Sequence, residues 1–221
     1  MQLAATIDGS HAIEGDLSSQ EGCSDAVQKA MLALGGIDVL INLAGLMSFC
    51  TYEDEDIECV QRIMQVNLIT PMLLSRAVLP QILEQNKGQI ANIGSMFGSI
   101  GFAYFSTYSA SKFGLRGFSQ ALRRELADTD IEVTYLSPRA VKTPINTGPI
   151  VQMGVAANMN MDEPELVAGL MHKAIEAGKK EAYFSYPEAI FARVNGISPG
   201  IVDNATRTQN RIARTFACPE N

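Results

Sequence analysis

Histidine, clustered basic residues and long apolar runs are all scarce in this 221-residue chain, and each shortage removes a class of function. Only His11 and His172 are present, too little for a histidine metal site or a Ser-His-Asp triad, so no metal centre is expected. Lys and Arg number 17 against 24 Asp and Glu, a net charge of −7. A nucleic-acid backbone needs clustered Lys and Arg, which excludes that partner. The four cysteines (Cys23, Cys50, Cys59, Cys218) form no Cys-x-x-Cys pair, which reads as reduced thiols in the cytoplasm. No apolar run reaches the ~18 residues of a membrane span. The first residues, Met-Gln-Leu-Ala-Ala-Thr-Ile-Asp-Gly, lack the charged start and apolar middle of a signal peptide. What is there is a globular composition, 47% hydrophobic and 19% charged. The length fits one domain, 1–221, with a full core.

The chain is organised around residues 93–112. An apolar run ends in Gly94-Ser95, a loop carries Gly98 and Gly101, and Tyr108 and Lys112 open a long periodic segment. Four residues apart on a helix, Tyr108 and Lys112 share one face, one turn apart. An ammonium beside a phenol favours the phenolate and lowers the tyrosine pKa from about 10 toward neutrality. Such a tyrosine can pass a proton to or from a substrate oxygen. Ser95, at the carboxyl end of the preceding strand, is placed to donate a hydrogen bond to that oxygen.

Taken in order, residues 12–15 read as a short strand. Ser18-Ser19-Gln20-Glu21 has the form of a capping box, ahead of a helix to Leu34 that Gly35-Gly36 stops. Ile37-Asp38-Val39-Leu40-Ile41 is a buried strand of the parallel type and runs into Asn42-Leu43-Ala44-Gly45. A helix over residues 54–85 contains Asn67 and Pro71. Proline cannot bond the carbonyl four residues back, and that carbonyl belongs to Asn67. Strands over 88–93 and 131–136 flank a helix that buries Leu115, Phe118, Leu122 and Leu126. Residues 145–162, rich in Asn, Met and Gly, read as a substrate-side loop or lid. A helix over 163–177, a short strand over 182–184 and a C-terminal helix over 200–217 complete the chain. The last helix places Ile201, Ala205, Ile212 and Phe216 on one stripe, with Arg207, Arg211 and Arg214 mostly off it. Strands alternating with helices, with polar residues at strand carboxyl ends, describe an α/β fold: a doubly wound parallel sheet with ligands at that edge.

A serine after a central strand, followed a dozen or so residues later by Tyr108-Ser109-Ala110-Ser111-Lys112, resembles the catalytic segment of the classical short-chain dehydrogenase/reductase family. Asn42-Leu43-Ala44-Gly45 is similar to the family's Asn-Asn-Ala-Gly, with Leu43 in place of the second asparagine. Ser137-Pro138-Arg139 is similar to its Pro-Gly segment, with Arg139 in place of glycine. The resemblance covers the chain from Asp16 onward and points to a bacterial branch of unassigned substrate. It implies a Rossmann-like sheet, NAD or NADP as cofactor, and hydride transfer between the nicotinamide and a small-molecule carbonyl or secondary alcohol. It also implies roles: Tyr108 as acid/base, Lys112 lowering its pKa and holding the nicotinamide ribose, Ser95 polarising the carbonyl, and Asn67 anchoring a water relay. For the cofactor it implies Asp16, with Leu17 after it, at the adenine; Asn42, Ala44 and Gly45 along the adenosine; and Val141 and Thr143 facing the nicotinamide and pyrophosphate. The helices at 54–85 and 108–127 match those that pair subunits in relatives, so a homodimer or homotetramer is expected.

The family's opening strand and its Thr-Gly-x-x-x-Gly-x-Gly turn, which cradles the pyrophosphate on a helix N-terminus, have no counterpart in this sequence. The chain therefore reads as an N-terminally truncated member without the first βαβ unit, a loss that leaves the strand at 37–42 as an unpaired edge. The residue that selects NAD or NADP belongs to that unit. The alternative reading is a non-catalytic remnant whose role is subunit association. A serine hydrolase built on Ser95 fails on Gly-x-Ser-x-Gly, because Ile93 and Phe97 stand where the glycines are needed. Arg139 leaves two outcomes open: pairing with a surface acid, or facing the substrate cleft and favouring a carboxylate or phosphate there.

Overall fold

The computed structural model describes residues 7–146, 148–184 and 186–217. Four strands form one all-parallel sheet: β1 (Val39–Asn42), β2 (Gly88–Ile93), β3 (Ile131–Ser137) and β4 (Glu181–Tyr183), in spatial order β1-β2-β3-β4. The register pairs Asn42 with Asn92, Ile93 with Leu136, and Ser137 with Tyr183. All four carboxyl ends, and the polar residues after them, therefore share one edge. β2 and β3 are buried along nearly their whole length, as apolar parallel strands must be. β1 and β4 are the outer strands, and β1 is the more exposed along its apolar residues. Its Val39 and Ile41 keep 44% and 49% of their surface, and Leu43 just beyond it 66%.

Residues 12–15 form no strand. An extended segment needs a hydrogen-bonded neighbour, and among the described residues no strand lies outside β1. Helix α1 (Gln20–Leu34) is capped by Ser19 rather than Ser18: Ser19 Oγ accepts the Gly22 N–H at 3.0 Å. Gly35, at φ 79°, ends the helix.

Helices α2 (Ile57–Met64) and α3 (Thr70–Glu84) form one rod, joined by a π turn over Gln65–Ile69. Pro71 has no N–H to donate, and the Thr70 N–H reaches back five residues to the Gln65 carbonyl. The wide turn absorbs the break in the ladder. The rod Ile57–Glu84 is long and apolar enough to cross a membrane by length and composition, although polar residues such as Arg62 and Asn67 interrupt its apolar run. Its Val78 and Ile82 are buried with Val27 of α1, Ile90 of β2 and Val133 of β3 in the main core.

Helix α4 (Ser106–Glu125) contributes Leu122 to that core and Leu115 to the buried interior. The expected loop at 145–162 contains a helix, α5 (Gly148–Ala156), because its apolar residues Ile150 and Met153 find a buried face. Pro149 sits where a first-turn N–H is not needed. After α6 (Pro164–Glu176) and β4 come three helices: α7 (Tyr186–Ile197), which the sequence reading lacks, α8 (Pro199–Ala205) and α9 (Arg207–Ala217). The expected single helix over 200–217 is thus broken at Thr206, whose N–H and hydroxyl both return to the Val202 carbonyl. The break also changes the inward stripe. Val202 and Ala213 are buried, whereas Ile201 is 58% exposed.

Candidate active site

The site lies where β2 hands over to α4. β2 ends at Ile93, and Gly94 and Ser95 follow at the shared carboxyl edge. Ser95 opens a short turn over Met96–Gly98, its Oγ accepting the Phe97 N–H at 3.1 Å. α4 begins at Ser106, so Tyr108, Ser111 and Lys112 fall on its buried face. The Ser95 hydroxyl faces the Tyr108 phenol closely enough to act on its pKa. Lys112 Nζ lies 5.8 Å from the Tyr108 ring centroid and donates to the Ile93 carbonyl at 3.0 Å.

Electrostatics at this pair differ from the sequence expectation. Burial pushes the Tyr108 phenol up, with the Ser95 hydroxyl acting the other way. Burial also pulls Lys112 down to about 8. Desolvation disfavours both charged forms, and at the phenol it is the largest effect.

Asn67 is fully buried and binds two neighbouring segments. Its Oδ1 accepts the Leu46 N–H at 2.8 Å, and its Nδ2 donates to the Leu46 carbonyl at 2.8 Å and to Ser111 Oγ at 3.0 Å. The amide thus fixes the loop after β1 against α4. Gly45 lies in that loop. A methyl group in its place would sit 3.5 Å from Asn67 Oδ1 and 3.7 Å from Lys112 Nζ. Asn42, at the end of β1, donates to Asn92 Oδ1 at 2.8 Å, and Asn92 donates to Ser119 of α4 at 2.9 Å. Ala44 is exposed beside it.

Residues 2–150 match the short chain dehydrogenase family. The chain belongs to that family. It is 32% identical over 229 residues to a ketoacyl reductase, HetN, of a Nostoc species, covering 95% of this chain and 79% of the relative. It is 35% identical over 142 residues to a 3-alpha-(or 20-beta)-hydroxysteroid dehydrogenase of Mycobacterium bovis, covering 64% of this chain and 55% of that protein. The chain spans about half the length of several other curated relatives, among them 53% of an acetoacetyl-CoA reductase of an Acinetobacter species. The solved short-chain dehydrogenase of Streptomyces avermitilis shares the fold, with a TM-score of 0.77, 24% identity, and coverage of 95% of this chain and 83% of that one.

Within this family member, the structure brings Asn67, Ser95, Tyr108, Lys112 and Gly45 together. Asp16 and Leu17 stand apart at the start of α1. The Ser18 hydroxyl, and after it the Ser18 N–H that donates to Asp16 Oδ1 at 2.9 Å, hold the Asp16 carboxyl below the usual range, and the Leu17 carbonyl accepts the Thr70 hydroxyl at 2.8 Å. Beyond β3, Val141 bridges to Asp162, and its carbonyl accepts the Thr143 N–H at 2.8 Å and Asn146 Nδ2 at 2.6 Å.

Arg139 does not turn a free guanidinium to the cleft. It grips Asp162 with two bonds, Nε to Oδ2 at 2.7 Å and a terminal nitrogen to Oδ1 at 2.6 Å. The guanidinium holds the Asp162 carboxyl below its ordinary pKa.

Two features here escape a sequence reading. Glu55 is buried and binds Ser48 through one oxygen and Thr107, the neighbour of Tyr108, through the other at 2.6 Å. Nothing in the run Glu53-Asp54-Glu55-Asp56 marks it from its neighbours. Tyr135 lies fully buried beneath Gly94. The one sequence signal for it was a glycine immediately before Ser95.

Proposed function

We propose that this protein is an NAD(P)-dependent oxidoreductase that interconverts a carbonyl and a secondary alcohol, with Tyr108 as the group that moves the proton. The observation that carries this reading is a buried phenol beside Ser95, with Lys112 one helical turn away and 5.8 Å from its ring. The ribose end of a nicotinamide dinucleotide fits here. Lys112 is buried with one hydrogen-bond partner among the described residues, and Gly45 leaves open the space that a side chain would fill beside it. Asn42, Ala44, Val141 and Thr143 border the same edge. No glycine-rich turn among the described residues offers a pyrophosphate cradle, so no contact is assigned to that end.

When bound, the dinucleotide supplies or accepts the hydride. The remaining work belongs to the chain. Ser95 donates a hydrogen bond to the substrate oxygen and holds it against the phenol. Burial keeps Tyr108 neutral, so in the reducing direction it has a proton to give. Protonated Lys112 then stabilises the phenolate that remains. Asn67, whose carbonyl Pro71 cannot engage, anchors the water that refills the proton, while its side chain fixes the loop carrying Gly45. The test is nicotinamide absorbance with a ketone panel, beside Tyr108→Phe. Turnover by the parent that survives the substitution would refute the role given to Tyr108.

A further inference from the structure

Apolar side chains gather beside Tyr108 from several elements, on the side away from Lys112 and Ser111. Phe97, Phe102 and Phe105 come from the loop between β2 and α4, Phe49 from the loop after β1, Met153 from α5 and Phe216 from α9. The rings pack on one another: Phe97 and Phe102 stack at 5.3 Å, Phe49 and Phe105 at 4.7 Å, and Phe97 meets Tyr108 edge-on at 6.1 Å. Phe49, Phe97, Phe102 and Phe216 remain only partly buried, so this cluster presents apolar surface as well as packing it. On the far side of α5 opens a cleft of about 660 Å³, lined by Thr143, Val151, Val155, Met159 and Met161 among others. Met159 belongs to both the cleft and the cluster, so the two are contiguous.

Four cations near this surface have partners of their own. Arg139 is held by Asp162 at 2.7 and 2.6 Å. Lys142 at the cleft is paired with Glu163, and both are more than half exposed. Arg116 donates to Ser99 at 3.1 Å and to Glu181 at 3.2 Å. Lys112 lies beneath the phenol on the Ile93 carbonyl. A carboxylate or phosphate set against these rings would lose its hydration, and Lys142, the cation lining the cleft, already pairs with Glu163.

We infer that the substrate is a neutral carbonyl compound or secondary alcohol whose carbon skeleton is apolar, with the oxygen at Ser95 and Tyr108 and the skeleton against Phe97, Phe102 and Met153. The inference rests on the reading of Tyr108 as the proton donor, and it names the substrate class that this reading leaves open.

The test compares methyl heptyl ketone with its ω-carboxylate analogue of equal chain length, using the full chain. Turnover is followed with NADH and with NADPH. Binding is followed separately by saturation-transfer NMR on each compound with oxidised dinucleotide present, where no reduction can occur. The expected result is a preference for the neutral ketone of at least about 100-fold in kcat/KM, with NMR contact to the neutral compound alone. Phe97→Ala should raise KM about 10-fold with kcat little changed, and Phe97→Leu, which keeps an apolar side chain, should recover most of the loss. Selective binding of the neutral ketone without turnover would support the apolar site while refuting hydride transfer by this chain. Equal or better use of the acid, equal binding, or no binding of either compound at millimolar concentration would overturn the inference.

Discussion

The ring of Tyr135 occupies the volume that a side chain on Gly94 would need. A methyl group at position 94 would stand inside the phenol of this fully buried tyrosine, and the same hydroxyl lies where a methyl group on Gly98 would go. The phenol also approaches Ser95 from below, 3.4 Å from its nitrogen and 3.3 Å from its carbonyl oxygen. The glycines on either side of Ser95 and the tyrosine on the next strand are therefore one packing unit, and Ser95 rests on it.

Gly94→Ala should destabilise the fold by about 1–3 kcal/mol, the usual cost of overpacking a filled interior. Pairing it with Tyr135→Ala, which empties the site, should give non-additivity on the order of 1 kcal/mol or more in a double-mutant cycle. Urea denaturation of the four proteins measures both. Strict additivity would show that the two positions do not compete for space.

Tyr108→Phe should lower turnover by about 100- to 10,000-fold, the typical contribution of an acid/base group. Melting temperature should change little, because the ring keeps its edge-on contact with Phe97. Steady-state kinetics and a thermal melt separate the two effects.

Lys112 predicts a pH dependence whose sign follows from its lowered pKa of about 8. Below that pH the ammonium is present to stabilise the phenolate; above it, the charge is lost. Reduction should therefore fall as pH rises through about 8, and Lys112→Met should remove that limb. For stability the sign is reversed. Burying the ammonium costs the folded state below about pH 8, and the cost fades between there and the unfolded lysine value of about 10.4.

Glu55→Ala should leave the hydroxyls of Ser48 and Thr107 without their shared acceptor. The expected loss is about 1–3 kcal/mol, read by chemical denaturation. Thr107→Val should lose part of it, and adding it to Glu55→Ala should cost less than the sum of the two.

Asp162→Asn should weaken the hold on Arg139 by on the order of 1 kcal/mol. The carboxyl's depressed pKa fixes the window: the parent's advantage is complete above the ordinary Asp value near 3.8 and disappears as pH falls below it. Acid denaturation of parent and variant should converge at the low end.

Much of this protein was determined by the sequence alone. The alternation of apolar strands with periodic helices, the glycine stop after α1, and a serine delivered by a strand beside Tyr-x-x-x-Lys all follow from local rules: side-chain period, backbone freedom at glycine and spacing on a helix. Those rules act within a few residues, so they are legible without a fold. Pro71 even marked the disturbance in the long helix, though only the structure turned it into a π turn. What the tertiary structure decided depends on neighbours distant in sequence. Residues 12–15 remain irregular because no described strand flanks β1, and α5 is a helix because a buried face awaits Ile150 and Met153. The pKa direction at Tyr108 reversed because desolvation is a property of the whole surround, which a four-residue spacing cannot convey. Arg139 faces Asp162, and Glu55 alone among its acidic neighbours is buried on Thr107, because each partner arrives from another part of the chain.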